Sequence, residues 1–260
     1  MDTLRIGTRE FHSRLMLGTG KYHSFEVMRA SLEASGTEII TVALRRLDLS
    51  KPHEPGLLDF IDTSRYTILP NTAGCKTVDE AVQTAQLAAA MGLPRWIKLE
   101  VIPDPHYLLP DPIATLEAAR VLIAEGFDVL PYINADPVLA LRLQEIGTVT
   151  VMPLGSPIGS GQGILNLPQI QIIIEQARVP VVVDAGIGAP SDAALAMEQG
   201  ASACLINTGI AQASEPVQMA QAMKLGIEAG RAAYLAGRIP RQTYASASSP
   251  IGGLANVGND

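Results

Sequence analysis

The residues best suited to chemistry are a lysine and a glutamate set into an otherwise apolar run, Trp96-Ile97-Lys98-Leu99-Glu100-Val101. Side chains alternate along a strand, so Ile97, Leu99 and Val101 share one face, and Trp96, Lys98 and Glu100 share the other. The wholly apolar face is expected to meet a covering layer, which turns Lys98 and Glu100 inward. Burial disfavours an ammonium and lowers its pKa, so the position predicts a neutral amine able to attack a carbonyl and form an imine. A second acid, Asp184, ends the apolar run Val181-Val-Val-Asp184. Two carboxylates facing one amine could move the protons that imine chemistry requires. The competing readings are structural. A Lys98–Glu100 or Lys98–Asp184 ion pair could merely brace the core, and Asp184 could hydrogen-bond its own turn.

Glycines and small polar residues form a second pattern. They occur in Gly155-Ser-Pro-Ile-Gly159-Ser-Gly161-Gln-Gly163, in Ala185-Gly186-Ile-Gly188 and in Asn207-Thr208-Gly209. Each cluster follows a candidate strand. Backbone N–H groups exposed at such turns suit a phosphate, although the same glycines could serve only as tight turns. Neither the first cluster nor Gly18-Thr-Gly20-Lys21-Tyr22 has the spacing of a dinucleotide fingerprint or a Walker loop. Arg45-Arg46 could meet a second anion, but an exposed basic pair is more often solvated surface. Cys75 has no histidine near it in sequence, and His106 reads as part of a loop.

The elements that must position these groups are short β-branched runs, each followed by a turn and a stretch of helical period. Eight strands are expected: Arg14 to Gly18, Glu38 to Leu44, Thr67 to Pro70, Trp96 to Val101, Asp128 to Ile133, Val149 to Leu154, Val179 to Asp184 and Ala203 to Asn207. Helices are expected over Ser24 to Ser35, Thr77 to Met91, Pro112 to Glu125, Pro137 to Ile146, Pro168 to Ala177, Ser191 to Gln199 and Glu215 to Ala236. Most are closed by a glycine that can adopt the left-handed conformation. Only the connection from Arg45 to Ser64 is weak, with Pro52 and Pro55 leaving at most a short helix near Leu57 to Ile61. No linker divides the series. The prediction is one α/β domain, a (β/α)8 TIM barrel over residues 1–244, with a flexible tail over 245–260. Leu4 to Phe11 reads as a hairpin that could plug the barrel floor.

The 260 residues carry 19 Lys and Arg against 26 Asp and Glu, a formal charge of −7, which argues against general attraction to nucleic acid or an anionic membrane. The two cysteines and four histidines lack metal-ligand spacing, so no metal is expected. The first residues contain no apolar signal core, and a cytoplasmic protein is expected.

Taken together and in this order, Gly18-Thr-Gly-Lys-Tyr22, Thr41-Val-Ala-Leu-Arg-Arg46, Leu69-Pro-Asn-Thr-Ala-Gly-Cys75, Trp96 to Val101, Val151 to Gly161 and Val183-Asp-Ala-Gly-Ile-Gly188 resemble the thiazole synthase family of thiamine biosynthesis. The likeness runs from about Leu4 to Pro250. It implies that Lys98 forms an imine with 1-deoxy-D-xylulose 5-phosphate, and that Glu100 and Asp184 do the acid–base work. It assigns Gly159, Ala185, Gly186, Asn207 and Thr208 to binding substrate and phosphate. It further implies sulfur from a separate carrier protein with a C-terminal thiocarboxylate, dehydroglycine as co-substrate, no cofactor, and a homotetramer. Another imine-forming barrel, such as an aldolase acting on a sugar phosphate, is the alternative. One departure is Gly209, where the family pattern leads one to expect Ala.

Overall fold

The structure, a computed structural model, describes residues 2–46 and 57–248. Of the expected tail, only residues 245–248 lie among these, and Pro52 and Pro55 lie outside them. Two short strands, β1 (Leu4–Ile6) and β2 (Arg9–Phe11), pair antiparallel as the expected hairpin. The eight parallel strands are β3 (Leu15–Gly18), β4 (Ile39–Ala43), β5 (Thr67–Asn71), β6 (Trp96–Leu99), β7 (Asp128–Ile133), β8 (Met152–Pro153), β9 (Val182–Asp184) and β10 (Ala203–Ile206). Their order is β8-β7-β6-β5-β4-β3-β10-β9. The two ends meet through parallel bridges Val151–Val181 and Leu154–Asp184, and Val182 N–H donates to the Val151 carbonyl at 3.0 Å. The sheet is thereby closed into the predicted barrel.

Helices α1 (Phe25–Ser35), α2 (Val78–Ala90), α3 (Pro112–Ala124), α4 (Pro137–Glu145), α5 (Leu167–Gln176) and α6 (Pro190–Glu198) alternate with the strands, and α7 (Thr208–Ala211) and α8 (Pro216–Ala236) follow β10. Their starts are set by local chemistry. Ser24, Thr77, Asp111 and Asp136 each accept a backbone N–H of the first turn of the following helix. After β4, 3₁₀ turns occupy Leu44–Arg46 and Leu57–Phe60, in line with the weak pattern expected there. The four-residue α7 had no counterpart in the sequence reading, because so short a segment cannot display a helical period.

The strands carry two apolar faces. Ile97, Leu99 and Val101 pack outward against Ala81, Ala118 and Leu122 of the helices. Trp96 points inward with Met16, Ile39, Leu69, Leu130 and Val182, and the hairpin's Leu4, Ile6 and Phe11 join the same cluster. The Phe11 ring stacks on Trp96 at 6.1 Å between centroids, and the Arg9 guanidinium lies 4.6 Å from the indole centre. Trp96 Nε1 donates to the Ile68 carbonyl at 2.6 Å. The hairpin therefore seals the N-terminal end of the barrel and leaves chemistry to the opposite rim. Trp96→Ala removes this fully buried keystone. It is expected to lower stability by about 3–5 kcal/mol, read as a lower urea midpoint at unchanged slope.

Candidate active site

Lys98 is the third residue of β6, Glu100 lies just past the end of that strand, and Asp184 closes β9. The alternation that turns Ile97, Leu99 and Val101 outward brings all three polar side chains to the barrel interior. They are buried, with exposures of 5%, 5% and 3%. Lys98 Nζ lies 2.9 Å from Glu100 Oε1 and 2.7 Å from Asp184 Oδ2. Thr72 locks the backbone at Glu100: its hydroxyl donates to the Glu100 carbonyl at 2.8 Å and accepts the Glu100 N–H at 2.7 Å. The Asp184 carboxylate is thus held against the Lys98 ammonium within the barrel interior.

The protonation state differs from the sequence expectation. Burial alone would lower the Lys98 pKa, but the negative charges of Asp184 and Glu100 outweigh it, and the pKa is raised above the ordinary lysine value. The resting group is an ammonium, and the expected neutral amine is corrected. Burial raises the Asp184 carboxyl above its usual range, with the Lys98 charge opposing that rise. Three ionisable groups carrying one positive and two negative charges thus contain a built-in proton acceptor of elevated affinity. Both ion pairs invoked by the structural reading are present. What that reading does not account for is the open space beside them.

A cavity of about 470 Å³ is lined by Lys98, Glu100, Asp184, Ala185, Asn207 and Thr208, among others. A second depression of about 530 Å³ shares Asn207 and Thr208 with the first and is also lined by Gly159, Gly161, Gly186 and Gly188. All eight residues singled out from the sequence therefore converge on one rim. Ala185 and Gly186 are consecutive left-handed residues, with φ of 66° and 75°. A non-glycine residue held in that region stores strain of a kind that collects at functional sites. Gly163 N–H donates to the Gly186 carbonyl at 2.8 Å, which joins the loops after β8 and β9. A methyl group added at Gly186 would lie 1.8 Å from Ser156 Oγ and 2.7 Å from Ser156 N and O. Gly186→Ala is expected to force these loops apart and lower stability by about 1–3 kcal/mol, measured by chemical denaturation.

The model of the family described as "Thiazole biosynthesis protein ThiG" matches residues 5–250. This chain belongs to the ThiG family. A thiazole synthase of Acaryochloris marina is 62% identical over 258 residues, covering 97% of this chain and 94% of the relative. A bifunctional ThiO/ThiG protein of Trichormus variabilis is 60% identical over 97% of this chain, which spans 40% of that longer protein. Among solved structures, a chain of the BexX/CysO complex of Amycolatopsis orientalis superposes with a TM-score of 0.82 at 35% identity, covering 93% of this chain and 98% of the other. ThiG membership makes the protein an enzyme of thiazole biosynthesis.

Several residues of this ThiG chain stand apart from the sequence reading. Tyr132 is fully buried, its hydroxyl has no hydrogen-bond partner among the described residues, and its ring centre lies 5.3 Å from Lys98 Nζ. A cation over an aromatic face is stabilised by the ring quadrupole, so Tyr132 favours a positive nitrogen whether ammonium or iminium. The signal was present in β7: Leu130 and Tyr132 share the inward face by the same alternation that singled out Lys98. Asn207, oriented by its hydrogen-bond partners, donates to the carbonyls of Gly20 at 2.9 Å and Gly18 at 3.2 Å, so its amide nitrogen fixes the loop after β3. At Gly209 a methyl group would fall 2.3 Å from the Ile187 carbonyl oxygen, so the alanine expected there would require the Ile187–Gly188 turn to shift. Cys75 is buried against Thr84 and burial pushes its thiol pKa up, in keeping with packing. His106 is exposed in its loop, where its ring meets Tyr107 edge-on.

No helix among the described residues is long and apolar enough to cross a membrane.

Proposed function

We propose that the protein is a thiazole synthase that builds the thiazole half of thiamine in the cytoplasm through an imine on Lys98. The supporting observation is the buried Lys98 ammonium, set between two carboxylates at a cavity that shares Asn207 and Thr208 with the depression at the late glycine turns. The phosphate of 1-deoxy-D-xylulose 5-phosphate is held at Gly159, Ala185, Gly186 and Thr208, where the N–H groups of Thr208 and Gly209 head α7 without a carbonyl partner inside that helix. Asn207 contributes by fixing the neighbouring loop. Binding at the phosphate holds the ketone beside Lys98 and makes the attack local.

The Lys98 ammonium first loses its proton to solvent, and the raised proton affinity of Asp184 fits it to take up and return protons in the steps that follow. The neutral amine adds to the ketone carbon, a proton is delivered to the departing oxygen, and water leaves to give the imine. Glu100 and Asp184 then move the proton from the neighbouring hydroxyl-bearing carbon, converting the imine through an enamine to an aminoketone. Sulfur passes from the thiocarboxylate of a carrier protein to the new ketone carbon, the carrier leaving as its carboxylate; dehydroglycine supplies nitrogen and carbon, the Lys98 nitrogen is expelled as the free amine, and ring closure with loss of water yields the thiazole phosphate carboxylate. The BexX/CysO complex, in which a related chain is found with a second protein, supports delivery by a separate partner. The family resemblance extends the proposal to a homotetramer.

The test is to incubate the enzyme with 1-deoxy-D-xylulose 5-phosphate, dehydroglycine and thiocarboxylated carrier. Consumption of all three with formation of a thiazole is expected. Cleavage of a carbon–carbon bond in the sugar with the carrier left intact would instead establish the aldolase-type reaction.

A further inference from the structure

We infer that Lys21 is a cationic clamp on the substrate phosphate, reaching from the loop after β3 across to the glycine turn after β8. The inference rests on the phosphosugar reading of the site and adds to it a residue that none of the assignments above includes.

Lys21 is one of three non-glycine residues among the described ones with a left-handed backbone, at φ 68°. A lysine gains nothing locally from that conformation, and strain of this kind persists only where the surroundings impose it. The surroundings here are visible. The Asn207 amide holds the carbonyls of Gly18 and Gly20, and Gly18 lies so close to Asn207 that an added methyl would fall 2.5 Å from its Cβ. The turn that carries Lys21 is thus pinned to the end of β10, the strand from which α7 begins. The strained backbone directs the side chain over the late loops. A methyl placed on Gly159 would lie 3.2 Å from Lys21 Nζ and 3.5 Å from Thr208 Oγ1, so ammonium and hydroxyl converge on the same glycine.

Lys21 also lines the cavity that contains Lys98, Glu100 and Asp184, and no carboxylate lies within ion-pair distance of it among the described residues. Of the three lysines that line this cavity, Lys98 and Lys21 are in opposite circumstances. Lys98 is buried and neutralised by two acids, whereas Lys21 is exposed and carries a charge that no described group offsets. A dianion seated at Gly159 and Thr208 would supply the missing counter-charge.

Adduct formation, trapped by borohydride and followed by intact mass, tests this with two ketones: 1-deoxy-D-xylulose 5-phosphate and the unphosphorylated 1-deoxy-D-xylulose. For Lys21→Met, the half-saturating concentration of the phosphorylated ketone is expected to rise about 10- to 100-fold, as for loss of a charge-assisted contact, while that of the unphosphorylated ketone is unchanged. Lys21→Arg should recover much of the loss. Because Lys21 is exposed, an unchanged thermal midpoint accompanies the expected result. Saturation by the phosphorylated ketone that matches the parent protein, or equal weakening toward both ketones, overturns the clamp while leaving the Lys98 reading intact. Absence of any adduct in the parent protein overturns the functional reading, and the clamp with it.

Discussion

Lys98→Arg is expected to fold normally, to form no borohydride-reducible adduct with 1-deoxy-D-xylulose 5-phosphate, and to lose at least about 10³-fold in turnover. The guanidinium keeps a positive charge between Glu100 and Asp184, which lie within 2.9 Å of the lysine nitrogen, so the buried acids remain compensated. What disappears is the nucleophile, because a guanidinium stays protonated and makes no imine. Lys98→Ala should be equally inactive and also less stable, since it leaves two buried carboxylates facing each other, and removing one partner of a buried ion pair costs about 3–5 kcal/mol. The contrast between the two variants separates chemistry from folding. Stability restored by Arg with activity still absent supports an amine that reacts. Activity retained by Lys98→Arg would reduce the triad to a structural brace.

The second large effect concerns Asp184. With both acids in place the Lys98 pKa is lifted, so the rate of adduct formation in the parent protein should keep rising with pH into the alkaline range, as the reactive neutral fraction grows. Asp184→Asn removes one of the two charges that hold the proton on Lys98. The lysine pKa must then fall, and the rising limb must move to lower pH. The same substitution deprives the imine of a proton acceptor, so exchange of the substrate's carbon-bound proton with deuterated solvent should slow by about 10²- to 10⁴-fold. An amine more readily trapped at neutral pH, coupled to slower proton exchange, is a combination that mere loosening of the barrel does not produce. Adduct formation with an unmoved pH limb would show that Asp184 does not govern Lys98.

Much of this site was legible because strand alternation is a local rule. Six consecutive residues from Trp96 to Val101 sufficed to turn Lys98 and Glu100 inward, and the structure packs Ile97, Leu99 and Val101 against the helices as that rule requires. The charge state of Lys98 was not legible. It is the outcome of a contest between desolvation and two charges, one of them on β9, and distances of 2.7 Å and 2.9 Å decide it. β8 shrank to Met152–Pro153 from the expected Val149 to Leu154, since Pro153 and Pro180 lack the N–H groups that would extend the ladder. Lys21 looked like one residue of a glycine turn, and its reach became visible only through its backbone angle and its approach to Gly159. Tyr132 passed for ordinary core within Pro131-Tyr132-Ile133.

Everything in this mechanism depends on the Lys98 amine bonding to the sugar. Borohydride reduction of the parent protein with 1-deoxy-D-xylulose 5-phosphate, followed by intact-mass measurement and peptide mapping, tests it most directly. A single adduct per chain is expected, confined to the peptide that contains Lys98. An adduct on the peptide containing Lys21 or on any other lysine, or no adduct under conditions where the thiazole is being made, would contradict it.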